Sequence, residues 1–125
     1  MTLSGNEKAR TITASYKMRH LDANLTINYT LDAAGELFVQ EDLDVNEEAK
    51  EKPQMFRFGM QWVMPEEYGT VTYWGRGPQE NYIDRNHSQR IGLYTQQVSD
   101  QYWGYIRPQE SGNHTDIRTW QVLDK

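Results

Sequence analysis

RTITASYKM, residues 10–18, sets Thr11, Thr13, Ser15 and Lys17 against Ile12, Ala14, Tyr16 and Met18. Successive side chains of an extended strand point to opposite faces, so this alternation predicts a strand with one apolar and one wet face. After the polar turn HLDAN, the next run puts Leu25, Ile27, Tyr29 and Leu31 on one side. DAAG, residues 32–35, predicts a turn in which Gly35 is free to take positive φ. ELFVQEDLDV, residues 36–45, then aligns Leu37, Val39, Leu43 and Val45, with Glu41 interrupting. Three half-buried strands in meander order follow from these patterns.

Working outward, residues 1–9 lack a comparable pattern and are expected to form a flexible leader. Residues 46–54, NEEAKEKPQ, are charged and contain a proline without an apolar period. They predict a solvated loop in preference to a single weak helical turn. MFRFGMQWVM, residues 55–64, places Phe56, Phe58, Met60, Trp62 and Met64 on one face. That spacing is read as a strand packed into a core rather than as a cofactor-lining stripe. Further short strands are expected at TVTYW (70–74), RIGLYTQQV (90–98), QYWGYIRP (101–108) and TDIRTWQVL (115–123). No segment carries a helical apolar stripe over three turns. The expected fold class is all-β, an antiparallel β-sandwich, with residues 1–125 forming a single domain or part of one.

The 125 residues carry 13 Lys and Arg against 18 Asp and Glu, a formal charge of -5. Nucleic-acid and anionic-membrane surfaces require excess positive charge, so neither partner is expected. A neutral ligand such as a sugar is compatible with this charge. Cysteine is absent, which removes disulfides, thiol nucleophiles and zinc knuckles. No apolar run is long enough for a membrane helix, so a soluble chain is expected, with cytoplasm and periplasm both open to it. Asn24, Asn28, Asn86 and Asn113 sit in glycosylation-type tripeptides, read as chance matches without a secretory context. Four Trp and eight Tyr enrich the chain in side chains that build sandwich cores and also line sugar sites.

Two stretches concentrate polar chemistry. WGRGPQENYIDR, residues 74–85, contains Gly75 and Gly77, which are expected to interrupt a strand, and Pro78, which fixes φ. Arg76, Glu80, Asp84 and Arg85 can pair with one another and brace this loop, since a guanidinium meets a carboxylate with two hydrogen bonds. A second reading makes Glu80 and Asp84 the paired acids of a glycosidase, at about 5–5.5 Å or about 6.5–9.5 Å apart. Against it, a general acid must hold its proton, and two neighbouring guanidiniums favour its loss. A third reading is a polar rim contacting sugar or a neighbouring domain.

RPQESGNHTDIR, residues 107–118, repeats the style with Glu110, His114, Asp116 and flanking arginines. His114 and Asp116 suggest half a metal site or a base with its orienting carboxylate. His20 and His87 lie in other turns, and Ser88 or Ser111 would have to serve as nucleophile in a Ser–His–Asp arrangement. The plainer reading of His114 is a hydrogen-bonded loop residue. Trp74, Trp103 and Trp120 present the same choice between a sugar-stacking platform and a core or domain interface.

YWGRGPQENYIDR (73–85), followed by YIRPQESGNHTDIRTWQV (105–122), resembles the carboxy-terminal, small-chain domain of the large β-galactosidases of glycoside hydrolase family 2. The likeness covers about residues 10–123 and takes in TITASYKM and FRFGMQW. It implies an antiparallel sandwich of the supersandwich, galactose mutarotase-like type, present here as an incomplete domain whose later half is expected beyond Lys125. It further implies a parent enzyme in which a (β/α)8 barrel supplies two catalytic glutamates for retaining hydrolysis of terminal β-D-galactosides. This domain would buttress that barrel, and a loop from its later half can add an aromatic residue to the galactose pocket. The implied partners are the remainder of the chain with its barrel, a β-galactoside in the full enzyme, and a second copy if an apolar face or sheet edge is left open. Mg2+ and Na+ are implied for the parent enzyme only. Arg76, Glu80, Asp84, Arg85, Glu110, Asp116 and Arg118 transfer as structural signature positions. No residue of this chain is assigned a catalytic, cofactor-binding or metal-ligating role.

Overall fold

The computed structural model describes residues 1–46, 55 and 57–124. Its regular structure is almost wholly β, and every strand pairing is antiparallel. No closed barrel forms among the described residues, in keeping with the expected antiparallel β-sandwich class. The chain divides into two compact units, residues 1–61 and 62–125.

The first unit is a four-stranded meander of β1 (Thr2–Gly5), β2 (Ala9–Met18), β3 (Ala23–Asp32) and β4 (Leu37–Val45), adjacent in that order. The leader expected over residues 1–9 thus contains an edge strand, with Leu3 opposite Ile12 and Thr2 opposite Thr13. A short stretch without clear alternation gains its ladder from a partner that already exists. The period-two reading holds across the other three strands. Ile12, Tyr29 and Val39 lie in one cross-strand row, Tyr16, Leu25 and Leu43 in another, and Ala14, Ile27 and Glu41 in a third. On the opposite face Thr11 bonds Thr30 at 2.8 Å, and Thr13 donates to Asn28 at 2.7 Å. Asp32 accepts from the Ala34 and Glu36 amides while Gly35 takes φ 86°, closing the expected turn. The loop expected over 46–54 lies outside the described residues except for Asn46.

The second unit is a three-stranded sheet ordered β6 (Arg90–Gln97), β5 (Thr70–Gly77), β7 (Thr119–Leu123), with a 3-10 turn at Val98–Gln101. Strand β5 runs through Gly75 and Gly77 instead of breaking at them. A Cβ on Gly75 would strike the side chain and backbone of Ile117, and one on Gly77 would strike the Tyr73 hydroxyl. Both glycines therefore serve close approach, not interruption. The strands expected at 55–64 and 101–108 do not form among the described residues. Gly59 sits at φ 149°, outside what an ordinary strand residue adopts, and Phe58, Met60, Trp62 and Met64 are largely exposed. Alternation supplies a face, but a strand also needs a neighbouring ladder to satisfy its backbone.

Burial is sparse. Ala14, Ala23 and Tyr73 are the buried apolar residues among those described. The apolar face of the four-stranded sheet stays half open, with Leu3 68% and Leu31 50% exposed. Open apolar area of this kind drives association. The chain on its own is expected to show a mass that rises with concentration in light scattering, and Leu31→Lys should suppress the rise. A strictly monomeric mass across the range would contradict this.

Candidate functional site

The two polar stretches meet beside the end of β5, where the chain passes through a cis Gly77–Pro78 peptide. The segment before β7 runs back along β5. The Arg118 amide donates to the Trp74 carbonyl at 2.9 Å, and the Arg76 amide to the Thr115 carbonyl at 3.1 Å. Between them the pairing bulges, with Asp116 at φ 57°. The strand expected over 115–123 is therefore regular only from Thr119.

Asn81 lies at the centre and is completely buried. Its backbone amide donates to the Asn113 carbonyl at 2.6 Å, and its own carbonyl accepts from Asn113 Nδ2 at 2.7 Å. Nδ2 donates to the carbonyls of Arg76 at 2.9 Å and Gln79 at 3.0 Å. Oδ1 accepts from the Thr115 amide at 2.9 Å and the Thr115 hydroxyl at 2.6 Å. Every polar group of this residue is thus satisfied. Sequence reasoning missed it, because it carries no charge and sits among residues that do.

Arg76 pairs across to the other stretch, whereas Arg85 pairs within its own. Arg76 Nε donates to Asp116 Oδ2 at 2.7 Å, and its Nη1 to the Gln89 carbonyl at 2.9 Å. Glu80, with its side chain only 8% exposed, accepts from the Gly112 amide at 2.6 Å and from the Tyr105 hydroxyl, with Arg85 Nη2 at 3.6 Å. The Arg85 guanidinium lies 4.1 Å over the Tyr82 ring and donates to the Tyr105 hydroxyl at 3.0 Å. Asp84 faces Arg85 at 3.9 Å from a well-exposed position. The bracing expected within residues 76–85 therefore reduces to Arg85 with its two acids, while Arg76 turns to the other stretch. Burial pushes the Tyr82 hydroxyl's pKa up, with Glu110 and Glu80 adding to the effect.

His114 and Asp116 are held apart in their contacts. His114 lies against the Tyr73 ring at a centroid distance of 4.6 Å, with Nε2 2.8 Å from Gln101 Oε1. Gln101 Nε2 in turn donates to Gln96 Oε1, so Oε1 is the atom it offers the imidazole. Nδ1 lies 3.2 Å from both the Tyr73 hydroxyl and the Arg76 carbonyl. Burial pushes the Tyr73 hydroxyl up to about 12, with Tyr94 adding a smaller rise. It also lowers the His114 pKa, against weaker opposing effects of the Arg76 carbonyl and Glu80. His114 is thus a part-buried, hydrogen-bonded imidazole packed on Tyr73, with burial favouring its neutral form.

The remaining candidates are dispersed. Ser111 Oγ accepts from the Trp103 amide, and Ser88 Oγ from Gln89 Nε2. His87 contacts Asn86, and His20 is exposed. No group of three or more His, Cys, Asp or Glu that could hold a metal ion occurs among the described residues. Trp74, Trp103 and Trp120 are each about half exposed. Trp74 and Trp120 cannot share a platform, because Trp120 pairs with Tyr73 and so lies on the opposite sheet face from Trp74. Asn28, Asn86 and Asn113 of the glycosylation-type tripeptides have their amides engaged in hydrogen bonds. No helix among the described residues is long and apolar enough to cross a membrane.

Known proteins share most of this chain. Residues 2–125 match the family described as the β-galactosidase small chain. The chain belongs to that family. Among curated proteins, the β-galactosidase BgaC of Bifidobacterium adolescentis is 35% identical over 101 residues, which is 80% of this chain and 9% of that protein. A β-galactosidase of Priestia megaterium is 38% identical over 81% of this chain and 9% of its own length. One from Lactobacillus delbrueckii subsp. bulgaricus is 35% identical over 84% of this chain and 10% of its own. The small-chain sequence thus spans about a tenth of the curated relatives it matches.

Two outcomes follow for the small-chain fold. Asn81→Ala strands the Thr115 amide and two carbonyls in a buried site and should cost about 3 kcal/mol or more in urea unfolding. Asn81→Asp should cost still more at neutral pH, because its carboxylate faces two carbonyls, and the excess should shrink as acid protonates it. Equal stability of wild type and Asn81→Ala would refute the central placement. For His114, the unfolded imidazole titrates at about 6.5 and the folded one lower. As pH falls below about 6.5 the unfolded chain takes up the proton first, so stability is full above that value and declines below it. His114→Gln should flatten the slope of the urea midpoint between about pH 7 and 5.5. An unchanged slope would assign it to other groups.

Proposed function

We propose that this chain is a non-catalytic β-sheet portion of a β-galactosidase, acting as a buttress for a catalytic barrel located elsewhere in the protein. The whole enzyme would hydrolyse terminal β-D-galactosides with retention, through one acid/base and one nucleophilic glutamate on that barrel. The observation that carries this reading is the state of Glu80. Its oxygens are committed to Tyr105, Gly112 and Arg85, while its expected companion Asp84 points to Arg85 from an exposed position. A glycosidase needs two carboxyls facing one bond across an open space. Asp116 is committed to Arg76 in the same way.

The relatives named β-galactosidase support the assignment of the whole protein, and the short share of their length supports a supporting role for this part. The remainder of the enzyme is its principal partner, and a β-galactoside is the ligand of the complete molecule. In this reading any Mg2+ and Na+ of the parent enzyme belong to other regions of it. A stand-alone carbohydrate-binding module built on Trp74, Trp103 or Trp120 is the alternative, and it is disfavoured because Trp74 and Trp120 lie on opposite sheet faces.

The test is an assay of the purified chain with an aryl β-galactoside, alongside Glu80→Gln. No turnover above buffer is expected from either protein. Turnover by the wild-type chain that disappears in Glu80→Gln would overturn the proposal.

A further inference from the structure

The second unit contains a groove of about 480 Å³ formed by the segment leading into β5, the end of β6 and its 3-10 turn, and β7. Trp62, Tyr68 and Val122 supply apolar wall, and Glu66, Gln97 and Ser99 supply polar atoms. The volume falls within the range of roughly 300–1,000 Å³ typical of small-molecule sites.

This groove differs in kind from the hollow beside Glu80 and His114. That hollow holds about 90 Å³, and Glu80, His114 and Gln101 on its wall are hydrogen-bonded to other residues of the protein. In the larger groove the polar side chains are uncommitted. Glu66, Ser99, the Trp62 indole N–H and the Tyr68 hydroxyl have no hydrogen-bond partner among the described residues. Gln97 uses only Nε2, toward Thr70 at 3.4 Å, which leaves Oε1 available. Trp62 remains 54% exposed and Tyr68 37% exposed.

We infer that this groove is a binding site for a neutral sugar, at the monosaccharide or disaccharide scale. Two aromatic side chains suit the C–H face of a pyranose, and a mixture of free donors and acceptors suits its hydroxyls. No Lys, Arg or His among the described residues lines the groove, and Glu66 repels anions, so phosphorylated and acidic ligands are disfavoured. Among the described residues Glu66 is the only carboxylate on the wall, one short of the pair that glycoside hydrolysis requires. The site holds sugar without cleaving it. It is independent of the scaffold role proposed above and survives if that role fails.

The experiment titrates the 125-residue chain with methyl β-D-galactopyranoside, methyl β-D-glucopyranoside and, as a cation control, choline. Tryptophan fluorescence and the indole N–H resonances are followed, with far-UV circular dichroism to confirm the fold of each variant. A saturable change in the millimolar range is expected for at least one glycoside. Trp62→Ala should abolish it, Gln97→Ala should weaken it several-fold, and Trp103→Ala should leave it intact. Three results overturn the inference: no saturable change with either glycoside, a change that persists in Trp62→Ala, or binding of choline alone. Aryl galactosidase activity is read separately, so loss of the scaffold reading leaves this outcome unaffected.

Discussion

A single buried amide ties the two polar stretches to the sheet. Asn81 reaches Arg76 at the end of β5, Gln79 in its own loop, and Asn113 and Thr115 in the other. These are neutral bonds in a dry place, where an unmade bond is expensive and a complete set fixes one geometry. The ion pairs around it have a different character. Asp84 with Arg85 is exposed, and pairs of that kind contribute little. Glu80 is better shielded, but its position depends on the Gly112 amide, which the second stretch delivers. The charges decorate a junction that the asparagine defines.

Alternating side chains made the four-stranded meander largely legible, because Ile12, Tyr29 and Val39 must share a face for any register to bury them. The Asp32–Gly35 turn was equally plain from its residues. What failed was the extension of this rule to MFRFGMQWVM, where the alternation is real but no neighbouring strand supplies a ladder among the described residues. Edge strand β1 shows the converse, since a partner recruited residues whose own pattern was weak. The glycines of the signature were seen as breakers, yet Gly75 and Gly77 admit Ile117 and Tyr73 to the surface of an unbroken strand. Contacts made across forty residues leave no mark on local spacing.

The same limit applied to the site. Charge drew the reading toward Glu80, Asp84, His114 and Asp116, and the structure did bring their two stretches together. It did not join them as an acid pair, a metal centre or a triad. Tyr73, Gln96 and Gln101 complete the surroundings of His114, and none of them advertises that role in sequence. Family membership accounts for the two stretches occurring together, and the hydrogen bonds show the physical work they do. Polar groups turned inward hold a scaffold. Those lining the groove at Trp62 face outward and keep their bonding capacity.

Amide hydrogen exchange at Asn81, Gly112 and Thr115 probes this junction most directly. If the buried asparagine organises both stretches, these amides should exchange only with the slowest class, alongside the central residues of β5 such as Tyr73. Exchange as fast as that of an exposed loop position such as Ile83, while β5 stays protected, would contradict the account.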